Sequence, residues 1–575
     1  MAQSFAEDNN TLWKRWCSNA RKTPEKEAIV HWVAGEEPKR WTFSSIISQA
    51  EKFAAFLLSS NIKRGDVCAI IIRHNYYFYP LYLAVSSIGA IPAVLAYPNS
   101  RLHPEKFRQG IEGMSQRSGL DYILTERDIE PIIDPLIKRD CSTIKGVLFP
   151  LEWLQVSVPK LDKAKEEIKN VQASLKSSDP VLLQHSSGTT GLQKPVLLSH
   201  WAVIEHIKNY SKAISITSDD KVVSWLPLYH DMGLIAAFHL PLALGITSVQ
   251  IDPFEWVLAP IILLEAISRE NGTIIWLPNF AYNVLSDKIH LDELEGISLS
   301  SLRLSINCSE PVRMESHLKF YSRFSEFGLK DNVLSTCYAM AETTFAVSQS
   351  EIGLPVKAIC VDRQELSKGR ITLTQDEMSG RVCVSSGRPL DGCQVRIIGE
   401  NGEDLQQGSV GEIVIRSVSM FDGYRNYPEK TAEVLKAGWY HSGDLGFIFE
   451  DYCYVIGRKK DIIIVAGNNL YPEDIEDTIS QVDGVIAGRA VAFGEEDLSI
   501  GSEQVSVVAE TNLTDEKELK DLRLRIIKAG MQMDISIRKV YLVPPRWLIK
   551  SSAGKPSRKS NKERILSRKE ENIWS

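Results

Sequence analysis

Short apolar runs with the composition of buried strands alternate with helical segments from about Ala28 to Ile415. Examples of these runs are Val67 to Ile72, Thr273 to Leu277 and Leu302 to Ile306. The alternation predicts an α/β protein in which helices cover the faces of sheets. A chain of 575 residues is long enough to build a large core divided into several lobes.

The pattern changes to a compact α+β character from about Asp461 onward. Ala490 to Phe493 has the composition of a strand, and Glu516 to Ala529 has apolar residues on one helical face, with Asp515 as the expected N-cap. We therefore expect a large multi-lobed N-terminal domain over residues 1–460 and a small, mobile α+β C-terminal domain over residues 461–575.

Composition argues for a globular protein of the cytoplasm. The net charge of −7 gives no general attraction to nucleic acid or to an anionic membrane. Nine scattered cysteines without a C-x-x-C pair favour reduced thiols over a zinc site. The acidic N-terminus lacks the apolar run of a signal peptide. The basic stretch from Arg546 to Lys569 holds Trp547 as its one aromatic residue, so we interpret it as a solvated tail.

Two segments lack Asp, Glu, Lys and Arg over a length that could span a membrane. They are Asn75 to Ser100 and Met232 to Ile251. Prolines and glycines interrupt both segments, so we predict that each forms a buried helix followed by a buried strand.

A loop rich in hydroxyl groups and glycine separates two apolar runs near residue 190. Its composition is typical of a segment that wraps polyphosphate, since glycine exposes backbone N–H groups, hydroxyls add donors and lysine adds charge. The flanking runs read as strands, whereas a Walker loop leads from a strand into a helix, and Gln193 and Pro195 break the Walker pattern. The loop consists of Ser186, Ser187, Gly188, Thr189, Thr190, Gly191, Leu192, Gln193 and Lys194.

Six further segments carry side chains suited to nucleotide chemistry, and taken singly each has a simpler structural explanation. In chain order their key residues are His230 in LYHDMG, Ser309 and Glu310 in NCSEP, Tyr338 and Glu342 in YAMAET, Asp444 in HSGD, Arg458 in GRKKD and Lys555 in SSAGK.

Together with the loop, these ordered motifs resemble the acyl-adenylate-forming (AMP-binding) superfamily, over nearly the whole chain from about Leu12 to Arg564. The resemblance implies an enzyme that uses ATP and Mg²⁺ to join a carboxylic acid to AMP with release of pyrophosphate. It also implies that the acyl group is then passed to a thiol. In this chain Ala339, Ala341 and Pro195 depart from residues common in the superfamily.

The resemblance implies a role for each matching residue. The loop from Ser186 to Lys194 would hold the β- and γ-phosphates. The metal would bind Glu342 and Ser186, the adenine would meet Tyr338 and the Ser309–Glu310 turn, and the ribose would meet Asp444 beside Arg458. The catalytic residues would be Lys555, His230 and Glu342, with Lys555 contacting the carboxylate and the α-phosphate.

Within the superfamily the motifs are most similar to fatty acyl-AMP ligases. His230 occupies the position at which amino-acid-activating relatives carry an aspartate, and the segments after it are apolar, as an acyl chain requires. Residues 362–375 have the position of an insertion that disfavours coenzyme A, which implies an acyl carrier protein as acceptor. Two alternatives stay open: a fatty acyl-CoA ligase, and an inactive adenylate-binding scaffold.

Overall fold

A computed structural model describes residues 10–98, 104–137, 143–186, 193–376, 380–465, 468–497, 502–533, 535–550, 556–567 and 573. Its strands, in chain order, are β1 (Glu27–Trp32), β2 (Lys39–Thr42), β3 (Val67–Ile71), β4 (Ile91–Val94), β5 (Tyr122–Thr125), β6 (Gly146–Leu148), β7 (Pro180–Ser186), β8 (Lys194–Ser199), β9 (Lys221–Ser224), β10 (Thr247–Ile251), β11 (Ile274–Leu277), β12 (Leu304–Asn307), β13 (Leu334–Ala339), β14 (Ala346–Gln349), β15 (Ala358–Asp362), β16 (Gly380–Val384), β17 (Arg388–Pro389), β18 (Cys393–Ile398), β19 (Gly411–Ser417), β20 (Gly423–Tyr424), β21 (Leu435–Lys436), β22 (Trp439–Phe449), β23 (Tyr452–Arg458), β24 (Ile463–Val465), β25 (Asn468–Leu470), β26 (Ala490–Asp497), β27 (Ser502–Glu510) and β28 (Ile537–Val543).

The α-helices are α1 (Leu12–Lys22), α2 (Phe43–Ser59), α3 (Phe78–Ser87), α4 (Pro104–Ser118), α5 (Glu130–Ile137), α6 (Leu161–Ser174), α7 (His200–Ala213), α8 (Leu240–Leu244), α9 (Pro253–Leu258), α10 (Ile261–Glu270), α11 (Asn279–Lys288), α12 (Met314–Phe324), α13 (Arg363–Ser367), α14 (Pro428–Val434), α15 (Pro472–Ser480), α16 (Glu516–Met531) and α17 (Arg558–Leu566). A π-helix (Met232–His239) precedes α8.

Two sheets whose central strands run parallel form the core of the N-terminal region. The larger has the strand order β17-β14-β13-β12-β11-β9-β10-β1-β2, and its strands from β13 to β1 run parallel. The smaller is the parallel sheet β4-β3-β5-β6. Strands covered on both faces read as continuous apolar runs, so the α/β prediction from those runs is confirmed.

The two charge-poor segments fold as predicted into a helix followed by a strand. The first forms α3 and β4, and the second forms the π-helix, α8 and β10. Among the described residues, no helix combines the length and the apolar character needed to cross a bilayer.

The loop after β7 connects two antiparallel strands. Ser186 pairs with Lys194 at the end of the β7–β8 hairpin, and β20 adds a third strand beside β8. The strand-to-strand setting predicted for this loop is therefore confirmed. The residues between its ends, Ser187 to Leu192, lie outside the described residues.

The C-terminal lobe has a hydrophobic core of its own. The sheet β26-β27-β28 packs with α15 and α16 around residues such as Ile475, Val507 and Ile526. Asp515 caps α16 as predicted, since its carboxylate accepts the N–H groups of Lys517 and Glu518 at 3.0 and 3.1 Å. The predicted architecture of a large N-terminal and a small C-terminal domain is confirmed, and the boundary at residue 461 stays a prediction.

Acidic residues of α15 bind arginines from the N-terminal side of that boundary. Asp474 forms an ion pair with Arg381 of β16 at 2.9 Å, and Asp477 pairs with Arg313, the residue before α12. Arg381 is itself buried and lies over the Tyr471 ring at 4.8 Å. The C-terminal lobe is thus joined to the N-terminal region through charged groups that partly lack water.

Arg558, the first residue of α17, holds three carboxylates together. Its guanidinium lies 2.9 Å from Asp461, 2.7 Å from Glu473 and 2.6 Å from Glu476. The side chains at the cluster are at most 20% exposed, so each charge depends on its partners rather than on water.

We expect Arg558→Ala to destabilise the C-terminal lobe by about 3 kcal/mol, because it leaves three carboxylates without their cation. The loss of unfolding free energy is measured by urea unfolding, with proteolysis of the C-terminal lobe as the readout. Lys559→Ala is the matched control, since Lys559 pairs only loosely with exposed Glu563 at 3.9 Å and its removal should cost under about 0.5 kcal/mol. Equal stability of the two variants would contradict the prediction.

Candidate functional site

Three residues predicted for nucleotide binding meet at one carboxylate. Asp444 in β22 pairs in register with Arg458 in β23, whose Nε donates to Asp444 Oδ1 at 3.1 Å. The hydroxyl of Tyr338, from the neighbouring β13, donates to Asp444 Oδ2 at 2.6 Å. Burial and the adjacent carboxylate raise the pKa of Tyr338 well above its usual value, so the phenol stays a neutral donor. The arrangement presents a buried carboxylate with a fixed orientation.

Glu342 supplies a second buried carboxylate. It lies in a 3₁₀ turn (Ala341–Thr343) directly after β13, and it is 5% exposed. The hydroxyl of Tyr424 donates to Glu342 Oε1 at 2.6 Å. The turn ends at Thr344, whose φ of 72° is a strained value for a β-branched residue.

Lys194, the last residue of the loop, is also the first residue of β8. Its Nζ donates to the hydroxyl of Tyr424 at 3.3 Å, so one phenol contacts both Lys194 and Glu342. Burial lowers the pKa of Lys194, and the charge of Glu342 opposes that shift. Sequence reasoning missed Tyr424. The sequence signal for it is the Gly423-Tyr424 pair, and the role of this pair is evident only when β20 is seen to pair with β8.

The predicted turn at Ser309 follows β12 with left-handed backbone. Ser309 has a φ of 70°, and the next residue, Glu310, accepts the backbone N–H of Phe280 at 3.0 Å. The pKa of Lys550 is lowered to about 8 by burial and by Arg489, while Glu310 acts in the opposite direction.

His230 lies between β9 and the π-helix. Its Nδ1 is 2.7 Å from Asp231 Oδ1 and 3.4 Å from the backbone nitrogen of Met232. Asp231 also accepts the N–H of Met232 at 2.7 Å and so begins the π-helix. Gly233 allows close packing here, because a Cβ would lie 2.4 Å from the carbonyl oxygen of Pro227.

The apolar segments predicted to hold an acyl chain are buried beside His230. Every residue of the π-helix is buried, and Trp276 and Tyr282 lie in the same core. At its edge Trp225 stacks on Trp256 with ring centroids 3.7 Å apart.

Several predicted site residues fall outside the described part of the chain. Ser187 to Leu192 and Lys555 are among them, and of Ser186 only the backbone is described. The residues that flank Ser551 to Lys555 are placed, since Lys550 and Pro556 form an antiparallel β-bridge.

The donor set fits a magnesium ion that arrives with a nucleotide. Within the described ranges, no group of three or more His, Cys, Asp or Glu side chains could hold a metal alone. Glu342 offers a single buried carboxylate. Mg²⁺ is usually bound through one or two carboxylates together with substrate phosphates, so this arrangement fits.

Comparison with known proteins agrees with this geometry. A 30% identical relative, the medium-chain-fatty-acid–[acyl-carrier-protein] ligase JamA of Moorena producens, aligns over 82% of this chain and 85% of its own. A Caulobacter vibrioides protein with the provisional name acyl-CoA synthetase is 27% identical over 95% of this chain and 93% of its own.

A solved structure from a study of fatty acyl-adenylate ligases of E. coli and L. pneumophila superposes with a TM-score of 0.87. It is 25% identical and covers 97% of this chain and 98% of its own. The model of the family described as AMP-binding enzyme matches residues 17–425, which include every predicted site residue except those from Asp444 onward. The chain belongs to the AMP-binding enzyme family.

Proposed function

We propose that this enzyme activates a fatty acid as its acyl adenylate and then loads an acyl carrier protein. The acid and ATP give acyl-AMP and pyrophosphate, and the phosphopantetheine thiol of the carrier displaces AMP. The observation that carries the proposal is the placement of the two ends of the Ser186–Lys194 loop on one hairpin. Glu342 lies across Tyr424 from that hairpin.

Asp444 is suited to bind the nucleoside. Its carboxylate accepts hydrogen bonds from Tyr338 and Arg458, so its position is fixed before a ribose arrives. Ribose hydroxyls would donate to this carboxylate, and the Tyr338 ring would lie against the adenine.

The phosphate groups would lie between Lys194 and Glu342. The backbone N–H groups and hydroxyls of the loop would hold the β- and γ-phosphates, with Lys194 adding a positive charge. Mg²⁺ held by Glu342, with Ser186 as a further oxygen ligand, would neutralise charge on the phosphate oxygens.

In the chemical step a carboxylate oxygen of the acid attacks the α-phosphorus, and the bond to the pyrophosphate oxygen breaks. Both reactants are anionic, so the site must supply positive charge and hold them in line. We assign this role to Lys555, next to the substrate carboxylate. This assignment rests on the match of the SSAGK segment to the superfamily motif, and the two residues that flank the segment, Lys550 and Pro556, form a β-bridge.

The acid is proposed to be a fatty acid because of its surroundings. The buried π-helix offers apolar side chains, and His230 stands where an amino-acid-specific site needs a carboxylate. Each buried methylene contributes about 0.8 kcal/mol, which is enough to favour long chains over short ones.

The acceptor is proposed to be a carrier protein. JamA is named as a ligase acting on acyl carrier protein, and residues 362–375 are the predicted insertion. There α13 follows β15, and Leu373 pairs with Val361 by a β-bridge.

The described cysteines are free thiols, which supports a reducing, cytoplasmic compartment.

A hydroxamate screen across chain lengths tests the acid. We expect kcat/KM to rise about fourfold per methylene until the pocket is filled, which corresponds to about 0.8 kcal/mol for each group. Amino acids of similar size are the control and should give under a hundredth of the best rate. A preference for amino acids, or hydroxamate formation without dependence on chain length, would contradict the assignment.

The acceptor is tested with radiolabelled acid, ATP and either coenzyme A or a holo acyl carrier protein. We expect label on the carrier and little acyl-CoA. Acyl-CoA formed as fast as the adenylate would favour the alternative of a fatty acyl-CoA ligase. The specific observation in favour of that alternative is the name of the Caulobacter relative. Absence of adenylate with every acid would favour the scaffold alternative.

A further inference from the structure

One segment of the N-terminal region links the Glu342 turn to the end of the phosphate loop. We define residues 417–424 as the brace; it leaves β19 and ends in β20. Ser419 Oγ donates to the carbonyl of Thr343 at 3.2 Å, and Thr344 Oγ1 donates back to the carbonyl of Ser419 at 2.8 Å. The N–H of Phe421 donates to the carbonyl of Glu342 at 2.9 Å. These bonds hold the strained turn from its backbone side.

The other end of the brace is fixed to the β7–β8 hairpin. Tyr424 pairs with Val196 of β8, and the N–H of Arg425 donates to the carbonyl of Pro195 at 2.9 Å. Pro195 replaces a residue that is commonly glycine in the superfamily, and in this chain its carbonyl helps to anchor the brace.

Tyr424 is held tightly at the point where these two regions meet. Its N–H donates to Thr431 Oγ1 at 2.9 Å, and its ring packs on Phe421 with centroids 5.0 Å apart. The residue before it must be glycine, since Gly423 has a φ of 140° and a Cβ would lie 2.8 Å from Thr431 Cγ2. The ring therefore has little freedom to move its hydroxyl.

The single hydroxyl of Tyr424 serves two charged groups. A neutral phenol has one O–H to donate, which goes to Glu342 at 2.6 Å, and its lone pairs accept Lys194 Nζ at 3.3 Å.

We propose that Tyr424 is a positioning residue, whose hydroxyl fixes the Glu342 carboxylate and the Lys194 ammonium next to each other, where both can contact a bound metal–triphosphate. This proposal rests on the proposed function in one respect, namely that the site binds a metal–nucleotide. It does not depend on which acid the enzyme activates. Groups that orient a metal ligand from behind typically change metal affinity or activity by 10- to 100-fold when they are removed.

The test is binding of Mn²⁺ to the full-length protein with α,β-methylene-ATP, followed by electron paramagnetic resonance. This readout needs no acid and no turnover. We expect Tyr424→Phe to raise the Kd of Mn²⁺ by about 10-fold or more. Tyr452→Phe is the matched control, because Tyr452 donates an equivalent bond of 2.7 Å to Glu351 at the far end of the β22–β23 hairpin. A change below twofold in Tyr424→Phe would overturn the proposal.

A double-mutant cycle separates positioning from general destabilisation. If Tyr424 acts through Glu342, adding Tyr424→Phe to Glu342→Gln should change the Kd by less than twofold. The same loss in both backgrounds would place the action of Tyr424 elsewhere and overturn the proposal. The double variant also removes the buried charge that Tyr424→Phe leaves without its donor, so it stays usable if the single variant folds poorly.

The outcome for Tyr424 can be told apart from the outcome for the proposed function. Weaker Mn²⁺–nucleotide binding in Tyr424→Phe, with no fatty acid activated by the wild type, would support positioning and reject the proposed substrate. Unchanged Mn²⁺–nucleotide binding in Tyr424→Phe, together with fatty acid activation by the wild type, would reject positioning and support the proposed substrate. In the active enzyme we also expect the Mg²⁺ concentration for half-maximal pyrophosphate exchange to rise, with the KM of the acid unchanged.

Discussion

Replacing Glu342 with glutamine is expected to lower acid-dependent pyrophosphate exchange by about 10²- to 10³-fold, the effect typical of losing one charge-stabilising group. The amide keeps the size of the side chain, and its oxygen can still accept the hydroxyl of Tyr424. The substitution therefore removes the charge that would bind Mg²⁺ while keeping the packing. Exchange of labelled pyrophosphate into ATP measures the loss.

The control for Glu342→Gln is Glu351→Gln. Glu351 also accepts a tyrosine hydroxyl, from Tyr452 at 2.7 Å, but it is 41% exposed and lies away from the nucleotide residues. This variant should retain wild-type exchange. A Glu342→Gln enzyme that keeps exchange within threefold of wild type, with matched thermal unfolding, would remove Glu342 from the proposed metal site.

Replacing Lys555 with alanine is expected to abolish adenylation but to spare thiol transfer. The lysine would neutralise charge on the attacking carboxylate and the α-phosphate, so its loss should lower exchange by at least about 10²-fold. Transfer from supplied acyl-AMP to a carrier protein does not pass through that step. A domain rotation that withdraws Lys555 before transfer would make the two half-reactions separable in this way.

Lys559→Ala is the control for Lys555→Ala, because it removes an exposed ammonium four residues further along. Exchange should be unchanged in this variant. Near-normal exchange in a folded Lys555→Ala protein, or equal loss of both half-reactions, would reject the role assigned to Lys555.

The sequence predicted those parts of the fold that depend on local pattern. Parallel strands such as β3 and β11 are covered on both sides, so their residues form apolar runs that stand out without any partner. Asp515 was predictable because an N-cap and the helix it begins are neighbours in sequence. The strand-to-strand setting of the phosphate loop followed from the two apolar runs around it.

Contacts between strands that lie far apart in sequence could not be predicted from local pattern in the same way. Tyr338 and Asp444 were both predicted for the nucleotide, but their mutual hydrogen bond depends on β13 meeting β22, which belongs to another sheet. Tyr424 was missed because its chemistry arises when β20 pairs with β8, far away in sequence. The π-helix that carries the apolar segment was read as an ordinary helix, since one extra residue per turn leaves little trace in composition.

The cluster around Arg558 has a consequence for biosynthesis. Domains fold as units during synthesis, the N-terminal ones first, as the chain leaves the ribosome. Asp461, Glu473 and Glu476 are made early in the lobe, yet their shared cation arrives with α17, and Ile565 of the same helix completes the packing against Val491. The C-terminal lobe therefore reaches its native state only after translation has passed residue 565, when the large N-terminal region is already outside the ribosome.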